Sequence, residues 1–104
     1  MKVELLYFDG CPNYESFVPH LRELMDRAAV DAELELRRVE SDTEARRLRF
    51  LGSPTVRVDG RDVEPEADGR IGYALQCRLY RTPDRVSGVP PDELIVRALG
   101  SHDA

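Results

Sequence analysis

Phe8-Asp9-Gly10-Cys11-Pro12-Asn13-Tyr14 separates two segments of different pattern. Before it, Val3 to Phe8 is largely apolar and reads as a strand buried on both faces. After it, Phe17, Leu21, Leu24, Met25 and Ala28 recur at helical spacing, with charged residues between them, which predicts an amphipathic helix from Phe17 to Ala29. A cysteine where a strand gives way to a helix lies beside unpaired backbone N–H groups and the positive end of the helix dipole. Both favour the thiolate. Pro12 suits the first helical position, where its missing N–H costs nothing, and Gly10 permits a tight approach of the backbone. Cys11 is therefore read as a candidate nucleophile. The plainer alternative is a small apolar residue at a strand end.

Pro19 falls inside the first helix, where proline removes an intrahelical hydrogen bond and bends the axis. Glu33 to Val39 alternates Leu34 and Leu36 with charged neighbours, the pattern of a half-buried strand. Strand, helix and strand in succession imply a right-handed parallel crossover. Ser41-Asp42-Thr43-Glu44 is a capping box opening a short helix that is expected to stop at Gly52. Ser53-Pro54 leads into Thr55 to Val63, in which Asp59-Gly60 joins two strands as a hairpin. Ile71, Tyr73, Leu75, Cys77 and Leu79 alternate as in a strand, while Ala74, Leu75, Gln76 and Leu79 also suit a helix; of the two, an extended strand added to the sheet is expected for Ile71 to Tyr80. Thr82 to Gly88 reads as a polar loop. Pro90-Pro91-Asp92-Glu93 opens a last helix with Leu94, Ile95, Ala98 and Leu99 as its buried stripe, and the tail from 101 to 104 is expected to fray.

The whole of 1–104 is expected to form one domain, since a chain of this length supports a single core. With 41% hydrophobic and 34% charged residues it is too apolar to be disordered. A net charge of -5 argues against nucleic acid and anionic membrane as partners. Met1-Lys2 runs straight into a strand pattern without an apolar h-region, so a cytoplasmic location is expected. In a reducing compartment two cysteines 66 residues apart are poor candidates for a permanent structural disulfide, and alone they cannot fill a four-ligand zinc site.

The order of these elements resembles the thioredoxin fold in its compact, glutaredoxin-sized form. Three features carry the likeness: Cys11-Pro12-Asn13-Tyr14 where that family has its Cys-x-x-Cys motif, Pro19 in the following helix, and Gly52-Ser53-Pro54-Thr55-Val56 where it has a cis-proline loop facing the cysteine. The resemblance implies an α/β sandwich of βαβ-α-ββ-α order, with a mixed sheet of four or five strands flanked by helices. It covers roughly residues 1 to 66 and the last helix. Tyr14 stands where a thioredoxin has its resolving cysteine, so exchange within that motif cannot run.

Under this resemblance Cys11 attacks as a thiolate. Cys77 or an external thiol resolves the mixed disulfide, and Pro12, Asn13, Tyr14, Ser53 and Pro54 form the substrate groove, with the main chain of Ser53 pairing to the substrate. The expected partner is a thiol or disulfide of a protein or small molecule, with no cofactor. For Cys77 the plainer alternative is an inert core thiol on the buried face of its strand. Two further readings stay open. One is a non-catalytic thioredoxin-like binding module. The other is a handler of soft metal or organomercury, since the chain is also similar to small proteins carrying an organomercurial-lyase label and two thiolates suit a linear thiophilic site.

Overall fold

The computed structural model describes residues 1–100; the expectation of a frayed tail falls on 101–104, outside the described residues. The elements are β1 (Lys2–Tyr7), α1 (Asn13–Arg27), β2 (Glu33–Arg38), α2 (Asp42–Leu48), β3 (Thr55–Val58), β4 (Arg61–Asp62), a 3-10 turn (Pro65–Gly69), β5 (Tyr80–Arg81), β6 (Val86–Ser87) and α3 (Asp92–Gly100). Four strands form one mixed sheet in the order β2-β1-β3-β4. β1 pairs with β2 in parallel and with β3 in antiparallel sense. A separate two-stranded ribbon is made by β5 and β6.

β1 is the central strand that serves both cores, with Val3 and Leu5 buried on one face and Leu6 on the other, where Lys2 and Glu4 pair with charges of β2. Val3 and Leu5 point into one core with Phe17, Leu21 and Leu24 of α1, Val56 and Val58 of β3, and Ile95 and Leu99 of α3. Leu6 points to the other side, into a smaller core with Val39, Ala45 and Phe50. Helices thus cover both faces of the sheet, and period-two alternation in β1 divides the apolar residues between them.

Local signals explain most of the element ends. Ser41 caps α2 by accepting from the Glu44 N–H at 3.0 Å, while the Glu44 carboxylate accepts from the Glu40 N–H at 3.0 Å, a capping box shifted by one residue. The helix ends earlier than expected, at Arg49 with φ 55, and not at Gly52. Arg57 donates to the Leu48 and Arg49 carbonyls at 2.7 and 3.1 Å, holding a cation at that helix end. Asp59 and Gly60 take φ 51 and 85, the two left-handed positions of a tight hairpin turn.

The expected strand from Ile71 to Tyr80 is absent. Only Cys77 makes a ladder contact, an isolated parallel bridge to Ser53, and Tyr80 and Arg81 belong to the ribbon with β6. The phase of the alternation is also inverted. Ile71, Cys77 and Leu79 face solvent, whereas Arg78 and Tyr80 are buried. The reason is electrostatic: the inward arginine meets two carboxylates, which an apolar-periodicity rule does not register.

Gly52 is the point where this segment touches the sheet. Its φ of 131 lies where side chains are strained, and a Cβ there would stand 2.9 Å from the Arg78 Cβ and 3.0 Å from its backbone N and Cα. Gly52→Ala is expected to lower stability by about 2 kcal/mol or more, measured by urea unfolding. The loss comes with displacement of residues 76–78, because the clash is with backbone.

Candidate redox site

Cys11 sits where β1 has ended and α1 begins. Its N–H donates to the Phe8 carbonyl at 3.2 Å, closing the turn. Pro12 follows with φ -76 as the cap residue, and Asn13 is the first helical residue, so the helix starts earlier than the apolar stripe indicated. The Cys11 side chain is fully buried, and its thiol donates to the Ser53 carbonyl at 3.5 Å. The Ser53-Pro54 peptide is cis, and both residues are buried. Three of the expected site residues, Cys11, Ser53 and Pro54, therefore meet at one end of the sheet.

Cys77 completes the group. The Ser53 N–H donates to the Gln76 carbonyl at 2.8 Å, and the Arg78 N–H donates to the Ser53 carbonyl at 2.9 Å. Both main-chain groups of Ser53 are thus taken by the chain's own residues 76 and 78. The part expected for a substrate strand is filled from within, with Cys77 between the two bonds. Cys77 is exposed. Its pKa is raised above the ordinary thiol value, first by hydrogen bonding with the Cys11 side chain, then by burial and by the charge of Cys11. The accessible sulfur is therefore Cys77, and the sheltered one is Cys11.

No family model matches the chain, and no curated protein or solved structure matches it either. What the site can do is accordingly read from its own geometry.

Tyr14 lies beside the cysteine turn without pointing to a chemical role. Its ring stacks on Tyr7 with centroids 4.1 Å apart, and its hydroxyl donates to the Glu15 carboxylate at 3.4 Å. Burial, followed by Glu15 and Asp9, raises its pKa. Asn13 stands against Gly88, where a Cβ would come within 2.5 Å of the Asn13 amide nitrogen. Asp9 pairs with Arg38 at 3.1 Å, and His20 with Asp92 at 2.7 Å. Among the described residues, no cluster of three or more His, Cys, Asp or Glu could hold a metal ion.

Sequence reasoning missed the support behind Cys77. Arg78 is 3% exposed, and its guanidinium forks onto Asp62 at 2.7 and 3.1 Å, reaches Glu64 at 2.9 Å and donates to the Thr55 hydroxyl at 3.1 Å. It also lies 4.5 Å from the centre of the Tyr80 ring. Tyr80, fully buried, donates its hydroxyl to the Pro54 carbonyl at 2.5 Å, and burial pushes its pKa far up. Arg78 and Tyr80 together fasten the segment carrying Cys77 to β3, β4 and the Pro54 loop. The one available signal was the pairing of an arginine with acids at positions 62 and 64 on the hairpin; nothing local marked it.

The dependence of Cys77 on Cys11 has a measurable sign. The thiolate is the reactive form, so a raised pKa moves reaction to higher pH. Cys11→Ala removes the hydrogen bond and the neighbouring charge, and the pH profile of Cys77 alkylation is expected to move to lower pH. An unmoved profile would mean that the two sulfurs do not interact.

Proposed function

We propose that this chain is a thioredoxin-like thiol–disulfide oxidoreductase whose working pair is Cys11 and Cys77. The observation that carries the reading is that both cysteines meet Ser53: the buried Cys11 thiol donates to its carbonyl, and exposed Cys77 is bridged to its main chain. The likeness to thioredoxins is supported by the parallel β1-α1-β2 unit, the following β3-β4 hairpin and the cysteine at the start of α1. Resolution within a Cys-x-x-Cys turn is replaced here by a cysteine on a distant segment.

The asymmetry of the pair assigns the steps. In the oxidised protein a partner thiolate attacks the accessible Cys77 sulfur. A new bond joins the partner to Cys77, the Cys11–Cys77 bond breaks, and the electron pair leaves on the Cys11 sulfur beside α1. A second thiolate of the partner then attacks the partner's own sulfur, forming the partner's disulfide and releasing Cys77 as thiolate, which takes a proton from water. The partner loses two electrons, and the protein disulfide gains them. Run in reverse, the same steps reduce a disulfide.

This function requires an internal bond. Mild oxidation with a small-molecule disulfide is expected to give a monomer two hydrogens lighter, whose digest contains the peptides of Cys11 and Cys77 joined. Neither Cys11→Ser nor Cys77→Ser forms it. A wild-type chain that takes up the oxidant at Cys77 and keeps it, with Cys11 still free, would end the proposal.

A further inference from the structure

We infer that the outer edge of the segment carrying Cys77 and Leu79 docks an extended, cysteine-bearing peptide that adds beside it as a strand. The inference rests on the redox reading above and names the class of substrate. In the parallel bridge to Ser53, the Gln76 carbonyl and the Arg78 N–H face inward. Strand geometry then turns the N–H and C=O of Cys77 and of Leu79 the other way. Among the described residues, none of those four groups has a hydrogen-bond partner.

The side chains agree with this division. Arg78 and Tyr80 are buried, while Cys77 is exposed and Leu79 is 53% exposed. β6 lies on the inner edge: the Thr82 N–H bonds the Arg85 carbonyl at 2.9 Å, and by alternation Tyr80 shares its hydrogen bonds with Ser87, on the edge that Arg78 gives to Ser53. The ribbon therefore leaves the outer edge open.

An open edge of this kind is a template for main-chain pairing. Here it holds a thiol between its free donors and acceptors, so a strand laid along it brings its own cysteine to Cys77 in fixed register, with Leu79 as an apolar contact two residues on. The occupant favoured is a peptide and not a second copy of this chain, since each copy carries a net charge of -5 and pairing two copies opposes like charges.

The test uses Cys11→Ser protein whose Cys77 is held as a mixed disulfide with a chromogenic thionitrobenzoate. An extended peptide with a central cysteine displaces the chromophore. The same peptide N-methylated on the alternate amides that would face the edge is the comparison, and glutathione is the small-thiol reference. The unmodified peptide is expected to react at least about fivefold faster than its N-methylated form, the effect of losing two main-chain hydrogen bonds. Equal rates would overturn the inference, as would a reduced chain that sediments as a dimer through this edge. Failure of wild-type protein to form the internal disulfide would remove the redox reading alone, because the peptide comparison is made without Cys11.

Discussion

Arg78→Leu is expected to cost about 3 kcal/mol or more of folding stability, a fall of roughly 12 °C or more in Tm for a domain of this size. Arg78 is 3% exposed, and its two carboxylate partners have side chains only 10% and 6% exposed. Removing it takes the forked ion pair from the half-buried Asp62 and leaves the more distant charge of Arg57 acting on it. Glu64 keeps Arg70 at 2.8 Å, itself 42% exposed and so a weaker partner. The same substitution frees residues 76–80 from the hairpin, so the internal disulfide should form more slowly than in a core variant of equal stability. Arg78→Lys retains a charge and loses the fork onto Asp62, and is expected to fall between the two. Chemical unfolding followed by timed alkylation of both cysteines measures each effect. A stable Arg78→Leu chain with normal disulfide formation would show that the ion cluster does not hold the cysteine in place.

The second large effect separates the two sulfurs. Cys77→Ser is expected to abolish exchange with a protein or peptide disulfide, because the remaining Cys11 is fully buried. Cys11→Ser is expected to react once at Cys77 and then stop as a stable mixed disulfide with its partner, because no internal thiolate is left to release it. Turnover is lost in both variants, and only Cys11→Ser accumulates the trapped species, visible as a mass addition that dithiothreitol removes. The opposite assignment, trapping in Cys77→Ser, would return the attacking role to Cys11, as the sequence alone implied.

Much of the fold could be read directly because the signals were local. β1 shows its place in a short apolar run, Val3 and Leu5 buried on one face and Leu6 on the other. The Ser41 to Glu44 box and the Asp59-Gly60 turn each fix an element end within four positions, and the apolar stripe of α3 sits where its Pro-Pro-Asp-Glu start puts it. Cys11, Ser53 and Pro54 were legible for the same reason, each standing at the junction of two readable elements. What escaped depended on long-range pairing. The phase of residues 71–80 is set by one arginine that prefers carboxylates 14 and 16 residues away to solvent. Alternation of apolar residues left an inert core thiol open for Cys77 beside the part of resolving cysteine, whereas the ion cluster turns Arg78 inward and leaves Cys77 exposed. The meeting of Cys77 with Cys11 hangs on two main-chain bonds to Ser53, for which a sequence carries no mark.

A redox titration of the wild-type chain in a graded thiol–disulfide buffer, quenched by alkylation and read by mass, tests the pairing most directly. The account predicts one two-electron transition in which Cys11 and Cys77 lose their alkylation together as a single internal disulfide. It is contradicted if Cys77 alone titrates, as a one-to-one adduct with the buffer thiol, while Cys11 stays reduced across the whole range.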